Sequence, residues 1–160
     1  MTTIIQIERP APAPALAPAK QRILDTADVL FYDEGIRAVG VDRLIRASSV
    51  TKATFYKHTG STARLIGDYV ALRHRQAVIE LADLAQQHGE PEAVLRALQE
   101  TISASISSIE FRGCPFINAA AEFSDPTHPV RRSVVAHREW LVGAYEQLLR
   151  HAKAVLVGQL

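Results

Sequence analysis

From Lys20 onward the apolar positions recur with a helical period. Ile23, Leu24, Ala27, Leu30 and Phe31 fall on one face, and Gly35 supplies a stop, which predicts a first helix of about 15 residues. Gly40 caps a short second helix whose Val41, Leu44 and Ile45 face inward, ending near Ala47-Ser48-Ser49. Thr51, whose hydroxyl can accept from the free amides ahead of it, opens a third short helix anchored by Phe55 and closed at Thr59-Gly60. One longer helix followed by two short ones across a tight turn is helix-turn-helix architecture.

Ser61 then predicts a long fourth helix carrying Leu65, Ile66, Tyr69, Val70, Leu72, Val78, Leu81 and Leu84 as far as His88-Gly89. Pro91 sits in the first turn of a fifth, with Val94, Leu95, Leu98, Ile102, Ile106 and Ile109 on its inner face, closed by Gly113 and Pro115. Phe116 to Phe123 form a short sixth helix before the Asp125-Pro126 break. Pro129 starts a seventh, where Val134, Leu141, Leu148 and Val155 recur at heptad spacing with Trp140 and Tyr145 alongside. No segment alternates with period two, so the predicted fold class is all-α, with about seven helices.

Ahead of these elements, Pro10 to Ala19 are rich in proline and alanine, and prolines lack amide donors and push their neighbours toward extended conformations. This predicts a disordered or polyproline-like arm over 1–19, a helix-turn-helix domain over 20–66 and a helical domain over 67–160. The length of 160 residues and the 48% hydrophobic content suit one domain, or two small helical ones sharing an interface. They exclude a collagen, a mostly disordered chain and a disulfide scaffold. A single cysteine, Cys114, forms no internal disulfide. No apolar run approaches the roughly 18 residues of a membrane span, and the start Met1 to Glu8 lacks the basic region and long apolar run of a secretory signal. The expected location is the cytoplasm, without membrane partners.

Charge sharpens the picture. The chain carries a formal +1, but residues up to 75 hold eleven Lys and Arg against seven Asp and Glu, and the rest hold seven against ten. Within 41–75, Arg43, Arg46, Lys52, Lys57, Arg64, Arg73 and Arg75 face only Asp42 and Asp68. A basic front half joined to a mildly acidic back half suggests an anion-binding module attached to something else. With Phe55 inward, Thr51, Lys52, Thr54, Tyr56, Lys57 and His58 are left for the outer face and end of the third helix. A recognition helix needs this division: residues at its start reach base edges, while hydroxyls and cations hold phosphates. The competing reading is an ordinary amphipathic helix with a solvated face.

The stretch Arg22-Ile23-Leu24-Asp25-Thr26-Ala27, then Leu30-Phe31 and Gly35, Val41-Asp42-Arg43-Leu44-Ile45 and Thr51-Lys52-Ala53-Thr54-Phe55-Tyr56-Lys57-His58 resembles the DNA-binding domain of the TetR family of bacterial transcriptional regulators. A second block, Arg112-Gly113-Cys114-Pro115-Phe116-Ile117-Asn118-Ala119-Ala120-Ala121-Glu122-Phe123 with Asp125-Pro126 and His128-Pro129-Val130, is similar to the effector region of one TetR-like subgroup. The resemblance implies a homodimer whose homeodomain-like heads enter successive major grooves of a palindromic operator in double-stranded DNA, and a small-molecule effector pocket inside each C-terminal domain. It implies that Tyr56, Lys52 and His58 position the DNA backbone, that Thr51, Ala53 and Thr54 lie nearest the bases, and that Lys57 and Arg43 add phosphate contacts.

Three departures stand out. Ser49 occupies a turn position where the family usually has glycine; a left-handed non-glycine costs roughly 1 kcal/mol. Thr59 and Thr62 replace a core aromatic and a phosphate-binding lysine, which is expected to weaken DNA affinity and its salt dependence. The family generally continues through two more long helices that build the dimer interface, whereas this sequence ends at Gly158-Gln159-Leu160, so the expected effector domain is a shortened one, with the stripe of the seventh helix as another surface for pairing.

For the effector, Phe111, Phe116, Phe123, Trp140 and Tyr145 are candidate apolar lining, with Asn118, Glu122 and His137 as orienting polar groups. The bland reading makes them ordinary core and surface. Cys114 would sense oxidants only if exposed with a lowered pKa. The six histidines show no ligand spacing with cysteines or carboxylates, and no phosphate-cradling glycine loop, G-x-S-x-G elbow or H-E-x-x-H helix is present. The expectation is therefore no enzyme, no catalytic or metal residues and no cofactor; what the resemblance implies instead is a ligand-responsive repressor. The alternative is a helical interaction protein that has lost DNA binding and modulates a full-length relative.

Overall fold

The computed structural model describes residues 7–157, with side chains through Lys153; the first residues, to Gln6, and the Val155 side chain lie outside the described part. Every regular element among the described residues is a helix: α1 (Pro18–Glu34), α2 (Val41–Ala47), α3 (Lys52–Thr59), α4 (Thr62–His88), α5 (Pro91–Ser107), α6 (Pro115–Glu122) and α7 (Pro129–Val157). The chain is all-α. Residues 7–17 form neither helix nor strand, and the regular structure begins where Pro18 supplies a helix N1 residue whose missing amide proton costs nothing.

Contacts divide the chain into two compact units. One comprises Pro12–Arg73 and Arg112–Val135. Its core gathers Ile23, Leu24, Ala27 and Phe31 of α1, Leu44 of α2, Phe55 of α3, Leu65, Tyr69 and Val70 of α4, and Phe116, Ala119, Phe123, Val130 and Val134. Phe31 meets Tyr69 edge to face at 5.4 Å, and burial pushes the Tyr69 phenol up to about 12. Arg73 binds Asp28 at 2.6 Å and Lys20 binds Asp68 at 3.3 Å. The block from Arg112 to Phe123 thus shares a core with the helix-turn-helix elements, a long-range pairing that no local pattern encodes.

The other unit comprises residues up to Ala11, His74–Phe111 and the chain from Ala136 onward. Leu81, Ala85, Val94 and Leu148 form its core, with Ile7, Leu84, Leu95, Leu98, Trp140 and Ala144 packed against them. Arg9 pairs with Asp83 at 3.2 Å, and Arg75 donates to the Ala11 carbonyl.

Two features differ from the periodicity reading. The inner face predicted for the fifth helix holds through Val94, Leu95 and Leu98 but not beyond: α5 ends at Ser107, Ile102 and Ile106 are exposed, and Ile109 is 100% exposed. Periodicity defines an apolar face without saying what covers it, and no described element covers this part. On α7, Val134 and Leu148 are buried in the chain's own cores, so that stripe is not free for pairing. The exposed apolar positions lie one residue further on, at Val135, Val142 and Leu149.

Candidate nucleic-acid interface

The turn before α3 is built from side-chain hydroxyls. Ser48 is buried and donates to the Leu44 carbonyl at 2.6 Å, while Ser49 takes the left-handed conformation at φ 53°. Thr51 then caps α3: its Oγ1 accepts from Thr54 N at 3.1 Å and lies 2.8 Å from Thr54 Oγ1. That hydroxyl satisfies one of the amides a helix start leaves open. Phe55, at 0% exposure, pins the helix to the core, and α2 and α3 both pack on α1.

What remains outside is polar and cationic. Thr51, Lys52, Ala53, Tyr56 and Lys57 are exposed, and Thr54 and His58 are half-buried. The Tyr56 ring stands nearly perpendicular to that of Phe55, with centroids 5.4 Å apart. Arg43 on α2 is engaged within the chain: its Nε donates to both Glu34 oxygens at 3.0 and 3.2 Å, and its Nη2 also bonds Glu34. Arg46 and Arg64 are exposed on the same unit. Arg64 lies in the first turn of α4 beside Gly60, where its Cδ lies 3.8 Å from the point a Cβ would occupy, so its stem covers the C-terminal end of α3. The sequence flagged Arg46 and Arg64 only as part of a basic run; the signal for a specific place was the Ser61 cap, which accepts from Arg64 N at 3.1 Å and starts α4 there.

Thr59 corrects an expectation. The threonine leaves no missing plug: it is itself buried at 1% exposure, and its hydroxyl donates to the Phe55 carbonyl at 2.9 Å. Back-bonding to the preceding turn hides the one polar atom a threonine brings.

The eight effector candidates fall into two groups. Phe116, Asn118, Glu122 and Phe123 belong to the unit that carries α3, and Phe111, His137, Trp140 and Tyr145 to the other. Phe116 and Phe123 are buried in core; Phe123 stacks on His128 at 4.5 Å, under the Arg37 guanidinium. Asn118 donates to the Arg112 carbonyl at 2.9 Å, and Glu122 accepts from two backbone amides of the α1–α2 turn. Both residues line an open groove of about 420 Å³ with Tyr32, Gly35 and Arg112. In the second unit His137 is 5% exposed, its Nδ1 lies 3.0 Å from His74 Nδ1, and Trp140 stands against both rings at 5.2 and 5.6 Å. Tyr145 is half-buried, which raises its phenol, and Phe111 is exposed. Cys114 is half-buried at the N-cap of α6, against the core. Among the described residues no group of three or more His, Cys, Asp or Glu is arranged to hold a metal ion, and no helix is long and apolar enough to cross a membrane.

Two family profiles match the chain. The profile for "Bacterial regulatory proteins, tetR family" matches residues 23–68, and that for "Tetracyclin repressor-like, C-terminal domain" matches 89–156. The HTH-type transcriptional regulator LmrA of Bacillus subtilis is 27% identical over 135 residues, covering 82% of this chain and 71% of that protein. A TetR-family transcriptional regulator from Streptomyces coelicolor superimposes with a TM-score of 0.80 at 38% identity, over 84% of this chain and 67% of the other. A TetR-family regulator from Agrobacterium tumefaciens shares the fold at a TM-score of 0.76 and 20% identity, over 85% and 72% of the two chains.

Proposed function

The chain belongs to the TetR family of bacterial transcriptional regulators, and from that premise we propose that it is a ligand-responsive repressor that binds a palindromic operator as a homodimer in the cytoplasm. The observation that carries the reading is the division of α3, with Phe55 fully buried on one side and Thr51, Lys52, Ala53, Tyr56 and Lys57 exposed on the other. In this reading Lys52, Tyr56 and His58 hold the DNA backbone and Lys57 adds a phosphate contact. Thr51, Ala53 and Thr54 lie nearest the bases. Because the Thr51 hydroxyl is occupied as a cap, Thr51 and Ala53 offer methyl groups, which suit the methyl of thymine. Arg64 supplies the cation that Thr62 lacks, and Arg43 reaches a phosphate only by leaving Glu34.

The helix-turn-helix head over 20–66 reads the operator, and the helical domain over 67–160 takes the effector and pairs the protomers. The exposed Val142 and Leu149 on α7 supply an apolar stripe for pairing. That stripe also supports the second reading, a helical protein that pairs with a longer relative. An effector represses or releases only by binding one spacing of the two heads more tightly than the other. The test is a footprint on DNA upstream of the protein's own gene. Two protected half-sites about one helical turn apart, or a multiple of it, are expected; the absence of any protected site contradicts the proposal.

A further inference from the structure

The carboxylate of Glu122, at the end of α6, closes on the backbone of the turn between α1 and α2. Its Oε1 accepts from Ile36 N at 2.9 Å and its Oε2 from Arg37 N at 2.7 Å. The approach runs past Gly35, at φ 92°, where a Cβ would already stand 3.4 Å from Oε1. One turn earlier on α1, the Tyr32 hydroxyl donates to the Gly113 carbonyl and accepts from Arg112 N, both at 3.1 Å. All of these residues lie in one unit.

Bonds to an ionised carboxylate are shorter and stronger than neutral ones, and here both oxygens are spent on consecutive amides of the segment that leads into α2. A helix reads base edges only when held within about half an ångström of its productive place. α2 and α3 both pack on α1, so fixing the α1–α2 turn fixes the platform of α3. We propose that Glu122 is a positioning residue for DNA reading, with Tyr32 as a second fastening, although neither belongs to the exposed face of α3. The inference rests on the DNA-binding reading of α3.

The experiment compares wild type, Glu122→Ala and Tyr32→Phe as full chains, at a temperature where circular dichroism shows each to be fully folded. Affinity for upstream DNA is measured across a salt series, together with amide exchange at Ile36 and Arg37. Glu122→Ala is expected to lose about tenfold in affinity and Tyr32→Phe about threefold. The slope of log affinity against log salt stays at wild type, because no phosphate contact is removed. In Glu122→Ala the two amides exchange faster. A folded Glu122→Ala that binds as wild type overturns the inference, even if its melting temperature has fallen. If Glu122→Ala does not fold, wild-type affinity in Tyr32→Phe overturns it in the same way. Wild-type protein that ignores DNA removes the DNA reading and this inference together, whereas wild-type binding with unaffected variants removes this inference alone.

Discussion

His74 and His137 face each other through their Nδ1 atoms at 3.0 Å, with Trp140 against both rings. One nitrogen must donate and the other accept, so the contact needs at least one neutral ring. Burial, and the neighbouring His74, push His137 down to about 4; burial also lowers His74. A folded pKa below the unfolded 6.5 means the unfolded chain binds more protons between those values. Stability is therefore complete above about pH 6.5 and falls as the pH drops toward 4, by about 3 kcal/mol at most from His137. Urea midpoints across this range should show the fall, and a His137→Phe variant that still folds should flatten it. A wild-type midpoint unchanged from pH 7 to 4 would contradict the buried pair.

Glu34 keeps Arg43 occupied. In Glu34→Gln the guanidinium loses its charged partner and becomes available to a phosphate. Nonspecific DNA affinity should rise and the salt slope steepen by about one. Unchanged slope would show that Arg43 does not reach the duplex.

Ser49 sits at φ 53°, the left-handed region that glycine occupies without strain. Ser49→Gly should gain up to about 1 kcal/mol in thermal or urea denaturation, less the extra freedom glycine gives the unfolded chain. A loss of stability would place the serine side chain in a supporting role.

Phe55 is the buried anchor of α3. Phe55→Ala should cost about 3–5 kcal/mol of unfolding free energy and abolish DNA binding where the head no longer holds its shape. Wild-type stability in that variant would refute the packing described for α3.

Much of this was legible in the sequence because the signals are local. Gly40, Thr51 and Gly60 bound the short helices as their chemistry predicts, and Phe55 is the anchor that the period selects. What escaped is long-range or compensated. Glu122 reads as a pocket carboxylate until the fold places it on amides 86 and 85 residues away. Thr59 reads as a lost aromatic until its hydroxyl finds the Phe55 carbonyl. Ile102, Ile106 and Ile109 share a helical phase with Val94, but phase alone does not provide a covering surface.

The most direct test of the account is a salt titration of DNA binding by wild type and Lys52→Ala, with molecular mass recorded in the same buffers. Tight binding by a dimer that weakens steeply with salt is expected, with a Lys52→Ala variant of equal stability that binds more weakly and has a slope smaller by about one. A monomer that ignores its upstream DNA at low salt, or a Lys52→Ala variant indistinguishable from wild type, would contradict it.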